Sequence, residues 1–443
     1  MKYLVQKFSI MFLFSSLLFA DTSDSDLQIM VQSKKTQKVP VGLVTVGHMD
    51  AQLQHIIDRL QKDLTWSGQC KIVSIQIVAL NYVNDLQKIF IENNQSDVGV
   101  ALFLSKKDQH VTWRLYDIDN NHMIAGHQEL IGDCTLTHLA HTIADKVWPY
   151  LFGQSSCFRS KIAYCKQIWR KKHGREKPYK QIWIADFDGS NQVLFVDAPT
   201  VSFAPRWNND TEFPLLFYSE NTMSNVQLVL SNMFGKRKVI CCFDGLNMQP
   251  TFSQDGKKVV FCLSKDGTSQ LYLSYVDKNH KRIFDRLTFN DGRNIAPCFI
   301  GNDRVVFVSD YETHKPQIYS MDLLSKSIKR ITDGGYCACP NYSAVRNQLV
   351  YSKMIGSQMQ LFTYDLATSE HKQLTNTSGS KEEASWSICG NYIVFGHNQG
   401  HSARIGQLHL PTGSTRFLTP VDQHCTYPDC SPIYNQCLGI LSH

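Results

Sequence analysis

The stretch "QPTFSQDGKKVVFCLSKDGTSQLYL" (residues 249–273) sets a proline and an aromatic ahead of Ser253 and an Asp-Gly pair. An apolar run through Phe261, a second Asp-Gly pair and a run through Tyr272 follow. Asp-Gly between alternating apolar runs is a strong local hairpin signal, because both residues tolerate the positive φ of a type I′ turn. A lone hairpin is marginal in water, so neighbours must cover its apolar face. Those neighbours are written along the chain. The motif aromatic recurs as Trp207 in "APRW", Phe252, Phe299 in "APCF", Tyr342 in "CPNYS" and Trp386 in "EASWS", with an altered copy at Cys430 in "YPDCSP". Successive spacings are 45, 47, 43, 44 and 44 residues. Each full copy precedes an apolar strand such as "VVFCLS", a second such as "QLYLS" and a third ending in "RLT", "RIT", "QLT" or "FLT". A period near 44 with four short strands is the signature of a β-propeller blade.

The chain ends set the number of blades. Residues 161–165, 181–189 and 192–198 supply three strands with no motif strand ahead of them, and the orphan "YPDCSP" (427–432) is a motif strand with no blade after it. Joining them closes a ring of six and removes exposed sheet edges. Residues 21–156 differ in kind. Strand-like segments at 38–47, 71–80, 97–105 and 110–119 alternate with an amphipathic stretch at 51–64 and a helix at 135–153, which should end or kink near Pro149. The expected architecture is therefore a small α/β domain (21–156) followed by a six-bladed all-β propeller (157–434) closed by the C-terminal strand, with a tail at 435–443.

The start, "MKYLVQKFSIMFLFSSLLFA" (1–20), has two lysines, an apolar stretch and Ala20 before polar "DTSDSD", the layout of a cleaved signal peptide. The formal charge of +6 falls to +4 without it, too mild a balance to argue for nucleic acid. Fourteen cysteines in an exported chain permit disulfides, but placements such as Cys262 and Cys298 beside core aromatics suit buried thiols. No pair of Cys or His elements stands at zinc spacing, and His138 and His141 read as surface or cap residues.

The chain resembles the TolB proteins of the Gram-negative Tol-Pal system. The resemblance is carried by "LAHTIADKVWPYLFGQSSCFRSKIAYC" (139–165), "QIWIADFDGSN" (181–191), "SKDGTSQLYL" (264–273), "SDYETHKPQIYSMD" (309–322) and "YPDCSP" (427–432). It implies a periplasmic scaffold. The peptidoglycan-associated lipoprotein Pal would bind at the propeller mouth and the inner-membrane protein TolA at the mature N-terminus, linking envelope layers during constriction. The loops before each motif proline then become the binding rim: Leu246, Asn247, Met248 and Gln249; Asn294, Ile295 and Ala296; Tyr336 to Cys339; Lys381, Glu382 and Glu383; His424 to Tyr427. Asn247, Gln249 and Asn294 are expected to present amides to the partner, with Glu382 and Glu383 forming a negative side.

The segment 26–44, with Leu27, Ile29 and Val31 alternating, reads either as a partner-docking strand or as an edge strand of its own domain. The run "RKKHGREK" (170–177) reads as a solvated hairpin loop or as a contact for anionic envelope polymers. The rival class is a propeller peptidase, but no G-x-S-x-G elbow is present, and neither is a phosphate-binding glycine motif. No catalytic residue, metal or cofactor is expected, and membrane association is expected only through partners. A carbohydrate-binding propeller stays open as the alternative.

Overall fold

The protein is described by a computed structural model covering residues 38–77, 86–132, 134–172, 175–198, 200–222 and 224–434. The expected leader, the segment with Leu27, Ile29 and Val31, and the tail 435–443 lie outside the described residues.

The amino-terminal layer is built on β1 (Val39–Val46), whose continuous apolar run suits a strand covered on both faces. β2 (Cys70–Ile77) and β3 (Val100–Lys107) flank it in parallel, and β4 (His110–Asp117) and β5 (His122–Leu130) extend the sheet antiparallel beyond β3. From Val39 onward the 26–44 segment is thus an inner strand, not an edge. α1 (Ala51–Trp66) is capped by Asp50, whose carboxylate accepts the Leu53 N–H, and it turns Leu53, Ile56, Leu60 and Leu64 onto the sheet. α2 (Leu86–Glu92) covers the other face with Leu86 and Phe90. α3 (Leu136–Phe152) ends three residues after Pro149, near that proline as expected, and carries it in its last turn. Proline has no N–H to offer the Asp145 carbonyl, and the Ser156 hydroxyl donates to that oxygen instead at 3.2 Å. The helix ends at Gly153, in the left-handed region at φ 65°.

Six four-stranded antiparallel sheets follow. Blade 1 joins Cys425–Cys430 to Lys161–Lys172, Arg175–Asp186 and Val193–Val196, so the two ends of the ring share one sheet. The inner strands of blades 2 to 6 are Val201–Trp207, Asn247–Phe252, Asn294–Ile300, Cys337–Ser343 and Ser380–Trp386. The opening stretch forms the second and third strands of blade 3 and most of its first. Of its two Asp-Gly pairs only Gly256 and Gly267 take positive φ, so both turns are wider than a two-residue type I′.

One residue in each inner strand is left-handed: Ala204, Gln249, Ala296, Cys339, Glu383 and Tyr427, with φ between 50° and 57°. Five of the six precede proline, a position that disfavours helical φ and ψ of either hand, and pairing with the second strand slips at each. In four of the six strands, two residues later, a side chain clasps the next blade. Thr251 accepts the Phe299 N–H (3.1 Å), Asn341 that of Trp386 (2.9 Å), Ser385 that of Cys430 (3.2 Å) and Asp429 that of Trp207 (2.9 Å). The motif's proline therefore marks a bulge, and its aromatic marks the point where blades are tied together.

The α/β layer packs on blades 1 and 6, and α1, α3, Phe158, Phe187, Cys389 and Tyr392 share one core. His141 is buried at this junction, contrary to its reading as a surface or cap residue. Its Nδ1 lies 2.7 Å from Asp63 and its Nε2 lies 3.4 Å from Asp186 of blade 1. Arg59 reaches Asp188 (2.6 Å) and the Ser190 hydroxyl (2.6 Å), and Lys161 pairs with Asp186. His138 is half-buried, and its backbone N–H is taken by the Thr135 cap.

Candidate functional site

Inner strands all start on one face of the ring and end on the other. The α/β layer covers part of the end face, where it meets the Ser387–Asn391 corner of blade 6 and the Asp186–Asn191 turn of blade 1. The opposite, starting face is where the expected rim lies.

At that rim the bulge decides which side chains point out. Two residues before the left-handed position stand Ser202, Asn247, Asn294, Cys337, Lys381 and Cys425, all buried with at most 2 % exposure. Asn247 donates from Nδ2 to the Val226 and Phe243 carbonyls and accepts the Phe243 N–H. Asn294 donates to Gln270 Oε1 (3.1 Å), Asn290 Oδ1 (2.7 Å) and the Gly292 carbonyl (3.1 Å). These amides are not presented at the mouth as expected from the sequence; they are buried and brace the loops that carry the chain into the ring. Losing such buried donors leaves loop carbonyls without partners, at about 1–3 kcal/mol per site. Asn247→Ala and Asn294→Ala should each lower the urea midpoint, whatever they do to binding, and a midpoint unchanged in both would contradict the brace.

One residue further on, Phe203, Met248, Ile295, Ala338, Glu382 and Thr426 are half-buried and ring the mouth. Leu246, Tyr336 and Phe289 stand exposed above them at 38 %, 40 % and 74 %. Blades 2 to 5 therefore give an apolar arc, and blades 6 and 1 give its polar complement. Lys381 is folded under its loop, bonding the carbonyls of Thr377, Ser378 and Gly379, and burial pulls its ammonium down to about 8. Burial pushes Glu383 up to about 7, against the Tyr427 N–H that its carboxylate accepts at 2.6 Å. Gln249 likewise accepts the Ala296 N–H at 2.9 Å, so both side chains tie neighbouring blades. His424 is left-handed and offers its carbonyl to the Gln167 N–H. Phe203 and Phe289 were not read as rim residues. The 44-residue register could have found Phe203, which sits where Met248 and Ile295 do.

The other mouth opens into a cavity of about 360 Å³ reached by all six blades. The motif aromatics Trp207, Phe252, Phe299, Tyr342 and Trp386 line it together with Asp429, which pairs with Arg206 at 2.9 Å. The indole N–H groups are already used, on the carbonyls of Asp429 and Asn341. Among the described residues no cluster of His, Cys, Asp and Glu could hold a metal ion, and no helix is long and apolar enough to cross a membrane.

The Tol-Pal system protein TolB of Francisella tularensis subsp. mediasiatica (strain FSC147) is 29 % identical over 245 residues, 54 % of this chain and 55 % of the relative. The same protein of Francisella tularensis subsp. tularensis (strain SCHU S4 / Schu 4) is also 29 % identical over 245 residues, 54 % of each chain. The chain thus matches about half the length of these curated relatives. The crystal structure of TolB from Acinetobacter baumannii shares the fold, with a TM-score of 0.75 at 21 % identity over 89 % of this chain and 97 % of that one. The family profile described as "TolB beta propeller domain" matches residues 148–433, well over half of the sequence, and the chain belongs to the TolB family.

Proposed function

We propose that this chain is an exported, non-catalytic scaffold of the Tol-Pal system. On this reading it holds the lipoprotein Pal at the apolar arc of the rim. It reaches a TolA-like inner-membrane protein through the segment with Leu27, Ile29 and Val31, and so supports outer-membrane integrity and constriction at division. The observation that carries the reading is the free rim: large apolar side chains, Leu246, Phe289 and Tyr336, exposed around one mouth while the α/β layer takes up part of the other face. Clustered exposed apolar groups around a pre-formed opening are what a protein partner covers. The names of the curated relatives, Tol-Pal system protein TolB, support the system.

The test is the double variant Leu246→Glu/Tyr336→Glu. Its binding to the soluble domain of Pal should fall at least a hundredfold, as when two central interface anchors are lost, with an unchanged thermal melt. Binding within threefold of the parent would remove the rim from the proposal. The aromatic-lined cavity at the other mouth favours a second reading, a glycan site. Muropeptides titrated into the same double variant separate the two, since a glycan site there would be unaffected.

A further inference from the structure

Of the run 170–177 read as a hairpin loop, residues 170–172 and 175–177 belong to strands. Strands Lys161–Lys172 and Arg175–Asp186 each have 12 residues, whereas the corresponding strands of the other blades have six to eight. The inner strand pairs with this hairpin only as far as Lys166, and the outer strand pairs only with Ile182 to Ile184. From Ile168 to Tyr179 the two strands therefore pair with each other alone, in register from Ile168 opposite Tyr179 to Lys172 opposite Arg175. Five residues at about 3.3 Å make a ribbon reaching roughly 17 Å past the sheet, on the face that carries the rim.

Its charge is out of proportion to its size. Residues 166–180 hold seven lysines and arginines against the single carboxylate of Glu176, an excess of six. That equals the formal charge of the whole chain, +6, so the rest of the sequence balances to zero. Cross-strand register puts Trp169 opposite Pro178, with Trp169 57 % exposed. The other side carries Ile168 opposite Tyr179, with the Arg170 guanidinium 5.7 Å from the Tyr179 ring. Among the described cationic side chains of the run only Arg170 is held by a carboxylate, that of Asp197. Lys171, Arg175 and Lys177 stand in solvent.

We infer that this ribbon docks on an anionic lipid surface, with its lysines and arginines against the headgroups and Trp169 at the interface. A two-stranded ribbon exposed at Trp169, Lys171 and residues 175–178 has no groove to hold a folded partner. Exposed tryptophan among lysines and arginines is the composition that settles at a charged bilayer interface. The inference goes beyond the scaffold reading, in which membranes are reached only through partners, and stands without it.

The test uses the purified mature protein and sedimentation with phosphatidylcholine vesicles, with and without phosphatidylglycerol, at low salt. Binding to the anionic vesicles alone is expected, released by raised salt as screening shortens. Lys171→Gln/Lys177→Gln should weaken it about twenty-five-fold, about fivefold for each cation removed, with the melt unchanged. Trp169→Ala should weaken it further. Equal binding to neutral vesicles, or full binding by the double variant, overturns the inference. Failure on vesicles with retention of a polyglutamate peptide overturns it in favour of an acidic protein. Because Leu246→Glu/Tyr336→Glu leaves the ribbon intact and Lys171→Gln/Lys177→Gln leaves the rim intact, failure of one proposal is separable from failure of the other.

Discussion

A chain truncated before Cys425 should fail to form a stable ring, appearing as aggregate or as a species without a cooperative melt. Removing Cys425–Cys430 strips blade 1 of its inner strand and exposes the edge of Lys161–Lys172 along Ile162 to Lys166, a ready template for pairing with another chain. It also removes Asp429, which holds the Arg206 guanidinium (2.9 Å), the Trp207 N–H (2.9 Å) and the Ser385 hydroxyl (3.1 Å), and so ties blades 2 and 6 to blade 1. Tyr434, whose ring centroid lies 5.8 Å from that of Trp207, goes with it. The point variant Asp429→Ala measures one part of this. It leaves the Trp207 N–H and the Ser385 hydroxyl without their acceptor and Arg206, 28 % exposed at the cavity wall, without its carboxylate, a loss of about 1–3 kcal/mol. A truncated protein melting at the parental temperature, or an Asp429→Ala protein of parental stability, would contradict closure through this strand.

Closure was legible in the sequence because it depends on a feature repeated six times. Five of the six copies carry the proline that reports the bulge, the aromatics Trp207, Phe299 and Trp386 mark inter-blade ties, and a 44-residue register survives the loss of any one copy. What could not be read was the side of the strand on which a given residue points. A bulge shifts the side-chain alternation by one, so Asn247 and Asn294 point under the loops while Met248 and Ile295 face the mouth. β5 went unread for a different reason: as an outer strand with almost no buried residue, it carries no apolar alternation. The basic run was misread because polar composition alone says loop, whereas the pairing from Lys166 to Lys172 is fixed by the hairpin below it. His141 was misread because its partners, Asp63 and Asp186, are 78 and 45 residues away, and nothing local marks it as buried.

That histidine makes the junction between the α/β layer and blade 1 sensitive to pH. Burial alone would lower its pKa, but hydrogen bonds to Asp186 and Asp63 and the charges of both carboxylates outweigh it and raise the imidazole from 6.5 to about 9. The same contacts act in reverse on the acids. Burial raises Asp63 while the imidazolium and Arg59 pull it back, and at Asp186 the imidazolium and Lys161 overcome burial and hold the carboxyl well below the usual range. His138, held near 4 by burial and by the nearby Lys161 and Arg159, stays neutral and adds no competing charge. Because the folded pKa of His141 lies above its unfolded value, its stabilisation is complete below pH 6.5, declines as the pH rises and is gone above about 9. The difference corresponds to about 3 kcal/mol. Urea unfolding of the parent should therefore lose about that much between these limits. His141→Gln, which keeps a donor but no charge, should be less stable at the acid end and nearly flat across the range. It leaves two buried carboxylates facing each other, so Asp63→Asn in the same chain should restore part of the loss. Equal pH slopes in the parent and His141→Gln would show that this contact carries no charge in the folded protein.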